Sequence, residues 1–250
     1  MTVAKPLPPR TSAARVPAVD VVRGFSIVLM VSYHLCFDLN LYGLTAFRFN
    51  DAPFWLNLRG VIVSLFLGIM GVSLHLASRA GRHRDRYLRR LALIATCAGL
   101  VTVASHQIFP QSYIYFGVLH FVAVASVLAL PFLRLDWGNL GGGLALIGLG
   151  NTVHLPFFDH PALHWVGMMT YKPFTEDYVP LVPWFGVVLL GLWLGRRLYG
   201  RHEAPARTLP HILSPLAAMG RHSLLVYMLH QPLLLGVLYL ILRVHSFSII

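Results

Sequence analysis

Arg23 and His34 lie eleven residues apart in the first long apolar run of the chain, VDVVRGFSIVLMVSYHLCFDL, and Asp38 follows His34 by four residues. At about 100° per residue an eleven-residue step returns to nearly the same helix face, so Arg23, Ile27, Met30, His34 and Asp38 form one stripe. The run is long enough to span a bilayer. Ionisable side chains at that depth normally face a bundle interior or a wet cavity, so the stripe predicts a polar path or a reaction site inside the membrane. A carboxylate one turn from an imidazole can orient the ring and stabilise its charged form, as a general base requires. His34 is therefore the expected base, with Asp38 holding its tautomer.

The rest of the chain must supply a membrane setting, and its composition does. Hydrophobic residues make up 56% of the 250 and DEKR residues 12%, and mean hydropathy is +0.66. Soluble domains carry roughly 25% charged residues, so the chain reads as an integral membrane protein. The net charge of +11 does not point to nucleic acid, because the arginines cluster between apolar runs instead of along one groove-like stretch. Cys36 and Cys97 sit in apolar runs without a C-x-x-C partner, which argues packing and neither a disulfide framework nor a cysteine metal site.

Seven runs of about bilayer length predict an all-α, polytopic helix bundle: Val19–Leu39, Phe54–Ala77, Leu88–Ala104, Tyr113–Leu133, Leu140–His154, Val179–Leu198 and Leu216–Leu242. The fifth is short and rich in glycine, so a tightly packed helix competes there with a re-entrant segment. Residues 1–18 form a polar leader, and 19–245 a single transmembrane domain. Lys5, Arg10 and Arg15, then Arg79 to Arg90, then Arg196, Arg197, Arg201 and Arg207 all fall on one side of such a bundle. The positive-inside rule makes that side, and the N-terminus, cytoplasmic. The loop Leu155–Tyr178 is then external.

This topology sets depths. At 1.5 Å per residue His34 lies ~8 Å from the outer end of its span, Arg59 ~8 Å below the start of the second, His120 ~10 Å below the start of the fourth and His230 ~20 Å up the seventh. All four fall in the outer half of the membrane, with Asp38, Asp177 and Tyr178 just above, so a shared layer is the expected site. Duller roles compete for several residues: Arg23 and Arg59 can snorkel to the interfaces, Trp184 can be a belt aromatic, and His75, His106 and His154 read as packing residues.

Other chemistries are poorly matched. There is no G-x-S-x-G, Walker loop, H-E-x-x-H or strand-preceded dinucleotide fingerprint, and no metal is expected. Haem ligation by histidines at matched depth ranks low, because Arg59 and Asp38 would make an unusually polar porphyrin pocket. A proton-coupled small-anion transporter using an Arg/His/Asp relay is the main alternative, although the chain shows no inverted repeat. A non-catalytic scaffold gives no reason for the layered ionisable groups.

The first run, together with YFGVLHFVAVASVLALPF, DYVPLVPWFGVVLLGLWLGR and GRHSLLVYMLHQPLL, resembles the bacterial DUF1624 family. That family is similar to the catalytic region of heparan-alpha-glucosaminide N-acetyltransferase and to the wider transmembrane acyltransferases. The resemblance runs from about Val19 to Leu235. It implies an enzyme, an O- or N-acyltransferase, moving an acetyl group from cytoplasmic acetyl-CoA to a sugar or envelope glycan on the far side of the membrane. A bacterial chain would sit in the inner membrane, and a homo-oligomer is compatible with this reading. Under it His34 deprotonates the acceptor, and Arg59, His120 and His230 complete the catalytic group. Arg23 and Arg221 meet the CoA phosphates, and Asp177, Tyr178 and Trp184 meet the acceptor.

The arginine asymmetry predicts that cysteines introduced at Arg84 and Arg201 react with an impermeant thiol reagent only from the cytoplasmic side, and one at His160 only from outside. External labelling at Arg84 reverses the orientation.

Overall fold

The computed structural model describes residues 16–79, 84–200 and 209–247, and side chains as far as Arg243. Lys5, Arg10, Arg15, Arg82, Arg201 and Arg207, and most of the expected leader, lie outside these residues. Eight α-helices and no strand are found among the described residues: α1 Pro17–Leu41, α2 Pro53–Arg79, α3 Arg84–Ile108, α4 Val118–Leu128, α5 Trp137–Thr152, α6 Leu181–Tyr199, α7 Ser214–Arg221 and α8 Ser223–Phe247. α1, α2, α3, α6 and α8 are long and apolar enough to cross a membrane.

The other three helices depart from the expected seven spans. The fourth, expected over Tyr113–Leu133, begins only at Val118, because the segment before it is extended. There Phe116 bridges Tyr178, and the Val179 N–H donates to the Phe116 carbonyl at 3.3 Å. This helix gives way to a 3-10 turn at Pro131–Arg134, where proline has no N–H to continue the α-helical ladder. The fifth is a 16-residue helix, ~24 Å long and shorter than the bilayer core, which lies alongside α6. The seventh, expected as one span over Leu216–Leu242, breaks at His222 (φ −103°, ψ 25°). Its first part, α7, runs antiparallel to the start of α1: a Cβ on Gly24 would fall on the Leu216 carbonyl, and one on Gly220 on the Asp20 carbonyl.

Close backbone approach also builds the centre. A Cβ on Gly71 would strike the Val188 carbonyl and one on Gly191 the Gly68 carbonyl, while Gly143 and Gly186 exclude side chains between α5 and α6. Without water to drive helices together, packing through small residues carries membrane association. Around the α2–α6 seam the core gathers Val63 and Leu67 with Phe121, Phe185, Val188, Leu189 and Leu192. α8 meets α3 and α4 through Leu224, Tyr227 and Met228, packed on Cys97, Ala98 and Leu119.

The basic helix ends share one face. The Arg79 guanidinium donates to the Tyr199 carbonyl, and Arg197 pairs with Asp136 at 2.9 Å. The opposite face carries the Leu155–Tyr178 loop, tied to the α3–α4 connection by the Glu176 N–H donating to the Ser112 carbonyl at 2.9 Å. α1 ends on this second face. Gly43, at φ +72°, lets the Leu44 N–H reach the Leu39 carbonyl at 2.9 Å and its own N–H reach Asn40 at 3.0 Å, a Schellman closure one turn past Asp38.

The glycine seam makes a direct prediction. Gly191→Ala should destabilise the folded protein by about 1–3 kcal/mol through overpacking, read by thermal unfolding in detergent. Gly60→Ala, where a Cβ meets nothing within 4 Å, should be neutral or stabilising.

Candidate active site

The stripe on α1 faces inward. Ile27, Met30 and Asp38 are buried and Arg23 and His34 half-buried, opposite α8, which brings His230 and Gln231. The His34 and His230 rings stand edge to face, centroids 4.9 Å apart, and Gln231 Nε2 donates to Asp38 Oδ1 at 2.7 Å. Asp38 is fully buried. Its partner is thus the Gln231 amide, not His34 as expected from helical spacing, and the tautomer of His34 is not set by Asp38.

Four buried polar atoms here have no partner among the described residues: His34 Nδ1, Asp38 Oδ2, His230 Nε2 and Gln231 Oε1. A buried polar atom without a hydrogen bond costs about 1–3 kcal/mol, so these four form a cluster of unmet hydrogen-bonding capacity between α1 and α8. Their chemistry can be assigned. His230 Nδ1 lies 2.6 Å from the Tyr227 carbonyl, which can only accept, so the ring proton is on Nδ1 and Nε2 offers a lone pair. Gln231 gives an N–H to the carboxylate, so its Oε1 is an acceptor, and the ionised carboxylate's Oδ2 is another. Three of the four are therefore acceptors. Pro232 follows directly inside α8 and removes the N–H that the Met228 carbonyl would otherwise receive.

On the loop side of this pocket Tyr33, edge to face with His34 at 5.9 Å, lies beside Arg59. Arg59 is within electrostatic range of Lys172 and Asp177, and Asp177 of Tyr227. Burial pushes the Asp177 carboxyl above its usual range, against the Val118 N–H and the Arg59 and Lys172 charges. Burial and Arg59 lower the Lys172 ammonium, with Asp177 and Glu176 opposing. His230 thus stands against His34, and Arg59 lies beside the neighbouring Tyr33.

Other expected site residues are engaged in holding the fold. His120 Nδ1 accepts from the Gly117 N–H at 3.3 Å and Nε2 meets Thr102 Oγ1 at 3.0 Å; both ring nitrogens secure the start of α4. Asp177 Oδ2 accepts from the Val118 N–H at 2.8 Å and caps the same helix. The Tyr178 hydroxyl donates to the His164 carbonyl at 2.6 Å, and Trp184 packs against the central core. Arg23 staples three helices, bonding Asp20 at 3.1 Å, the Gly220 carbonyl at 3.3 Å and Ser73 Oγ at 2.6 Å. Arg221 is exposed at the basic face. Sequence reasoning missed Gln231; its signal was the H-Q-P triplet interrupting an apolar run.

The profile of a known family, described as heparan-alpha-glucosaminide N-acetyltransferase, catalytic, matches residues 15–232. The chain belongs to that family. The match ends just past His230 and Gln231 and includes α1 and the first part of α8. Membership makes the chain a member of a membrane acetyltransferase family and does not favour the transporter alternative. No curated protein and no solved structure matched the chain significantly.

The cross-helix bond is testable by stability. Gln231→Leu leaves the Asp38 carboxylate buried without its partner and should lower unfolding free energy by about 1.5–3 kcal/mol. Asp38→Leu combined with Gln231→Leu should recover most of that loss, because both polar groups are then gone. No recovery in the double variant would show that the pair is not coupled.

Proposed function

We propose that the chain is an acetyltransferase of the bacterial inner membrane that N-acetylates an amino sugar or envelope glycan at the outer side, using acetyl-CoA from the cytoplasm. The cluster of unpartnered polar atoms on α1 and α8 carries this reading. An ammonium offers three N–H donors and positive charge, and Asp38 Oδ2, Gln231 Oε1 and His230 Nε2 offer three acceptors, one of them on a carboxylate. A hydroxyl, with one donor, would leave at least two of them unsatisfied. The family description also names an N-acetyl transfer.

Proton flow follows from the same geometry. His230 Nε2 accepts the first proton from the arriving ammonium, its own N–H held by the Tyr227 carbonyl. His34 accepts the second as the nitrogen attacks the thioester carbon, and returns it to the departing sulfur, so amide and CoA thiol result. Arg59 supplies positive charge where the carbonyl oxygen becomes an oxyanion. Arg221 at the basic face is the phosphate contact for the donor, and Arg23 contributes through its staple of α1, α2 and α7, which sets the entry beneath the pocket.

His34→Ala and His230→Ala should each lower turnover of radiolabelled acetyl-CoA into glucosamine-type acceptors by about 10²–10⁴ while retaining CoA binding. Asp38→Asn should fall between these variants and wild type. His106→Ala, on the exposed loop-side end of α3, should turn over normally. Normal turnover by both His34→Ala and His230→Ala would move the reaction centre elsewhere.

A further inference from the structure

A second site lies on the far side of the bundle. Between α2, α5 and α6 a groove of about 280 Å³ is lined by residues including Gly68, Leu144, Val187, Gly191, Trp193 and Leu194. It faces outward, since Leu144 is 56% and Leu194 42% exposed. The groove follows α6 from mid-helix toward the basic face as far as Leu194, and Arg196 and Arg197 come next along the helix. There Arg197 stacks over Trp137 at 4.4 Å and near Trp193 at 5.8 Å.

Two observations say what fits it. Arg196 and Arg197 both meet Asp136, two charges against one, and Arg196 also donates to the Arg134 carbonyl, so among the described residues this cluster carries a net +1. In addition, the Trp193 indole N–H, on a lining residue, is buried and has no acceptor among the described residues. An apolar trough ending in surplus positive charge and an unused N–H matches one ligand chemistry: a hydrocarbon chain joined to an anionic head with ester and phosphate oxygens. A second copy fits badly, because a two-fold pair would set the same positively charged mouth against itself.

We infer that this groove is a binding site for an anionic phospholipid, one acyl chain lying along α6, its phosphate on Arg196 and Arg197 and an ester oxygen accepting from Trp193. The site is separate from the His34–His230 pocket and stands whether or not the acceptor is an amine.

The test is native mass spectrometry of the full chain in detergent with phosphatidylglycerol or phosphatidylcholine of matched chains. The wild type should retain phosphatidylglycerol preferentially, by about fivefold for each arginine at the surface. Arg196→Gln, which leaves the Arg197–Asp136 pair intact, should reduce that preference about fivefold. Trp193→Phe, which keeps the ring and removes the N–H, should weaken the adduct. Leu194→Trp, which fills the groove with both arginines in place, should remove it for either lipid. Equal retention of the two lipids by wild type, or an unchanged preference in Arg196→Gln with the adduct surviving Leu194→Trp, overturns the site. A spontaneous disulfide dimer of Leu194→Cys in membranes, with no lipid adduct on the wild type, assigns the face to a second copy.

Discussion

A buried carboxylate in an apolar bundle must be answered by a donor, and in this protein the answer to Asp38 is the Gln231 amide. That requirement fixes the rotation and height of α8 against α1. Because His230 precedes Gln231 in sequence and His34 lies one turn before Asp38, the same bond sets the two imidazoles 4.9 Å apart. α1 is held independently at its other end, where Arg23 bonds groups on α1, α2 and the end of α7. The polar cluster therefore rests on a helix tied at two depths, and the paired imidazoles lie between Arg23 and Asp38.

Polar groups in this fold divide by whether their hydrogen-bonding capacity is met. His120 uses both ring nitrogens at the head of α4, and Asp177 caps that helix from a distant loop. His164 is braced by Tyr115 at 3.2 Å and by the Asp159 carbonyl at 3.0 Å. Each is a satisfied structural element despite a residue type that suggests chemistry. Half of the buried atoms with unmet capacity lie together on His34, Asp38, His230 and Gln231, and the others are scattered on His75, Asp136, Asn139 and Trp193. At about 1–3 kcal/mol for each atom, an arrangement of this kind persists where a ligand completes it, and the shared acceptor character of three atoms gives that ligand its sign and donor count.

The two halves of the bundle are held by different forces. α2, α5 and α6 meet backbone to backbone through glycine, so their seam depends on shape and dispersion, which extend over the whole contact. The α1–α8 contact depends on a few directional polar bonds. Rigid packing on one side and polar specification on the other leave the His34–His230 cluster with the second, while the outer surface of the first presents an apolar groove along α6 as far as Leu194.

The sequence alone determined the membrane setting and the inward stripe on α1, because hydropathy and 3.6-residue periodicity are local properties of the chain. It also gave, through rise per residue, the expectation of one layer holding His34, Arg59, His120 and His230. Pairing was beyond it. Helical spacing joined Asp38 to His34, whereas the structure joins Asp38 to Gln231, 193 residues away, because rotation about each helix axis is set by neighbouring helices and not by the helix itself. The same limit hid the break at His222, where close packing of Gly220 on α1 overrides an apolar run long enough to continue. It also left His120 among the reactive groups, although Thr102 and the Gly117 N–H meet both of its nitrogens. Depth is written in sequence order; which polar atoms find partners is decided only when the helices pack.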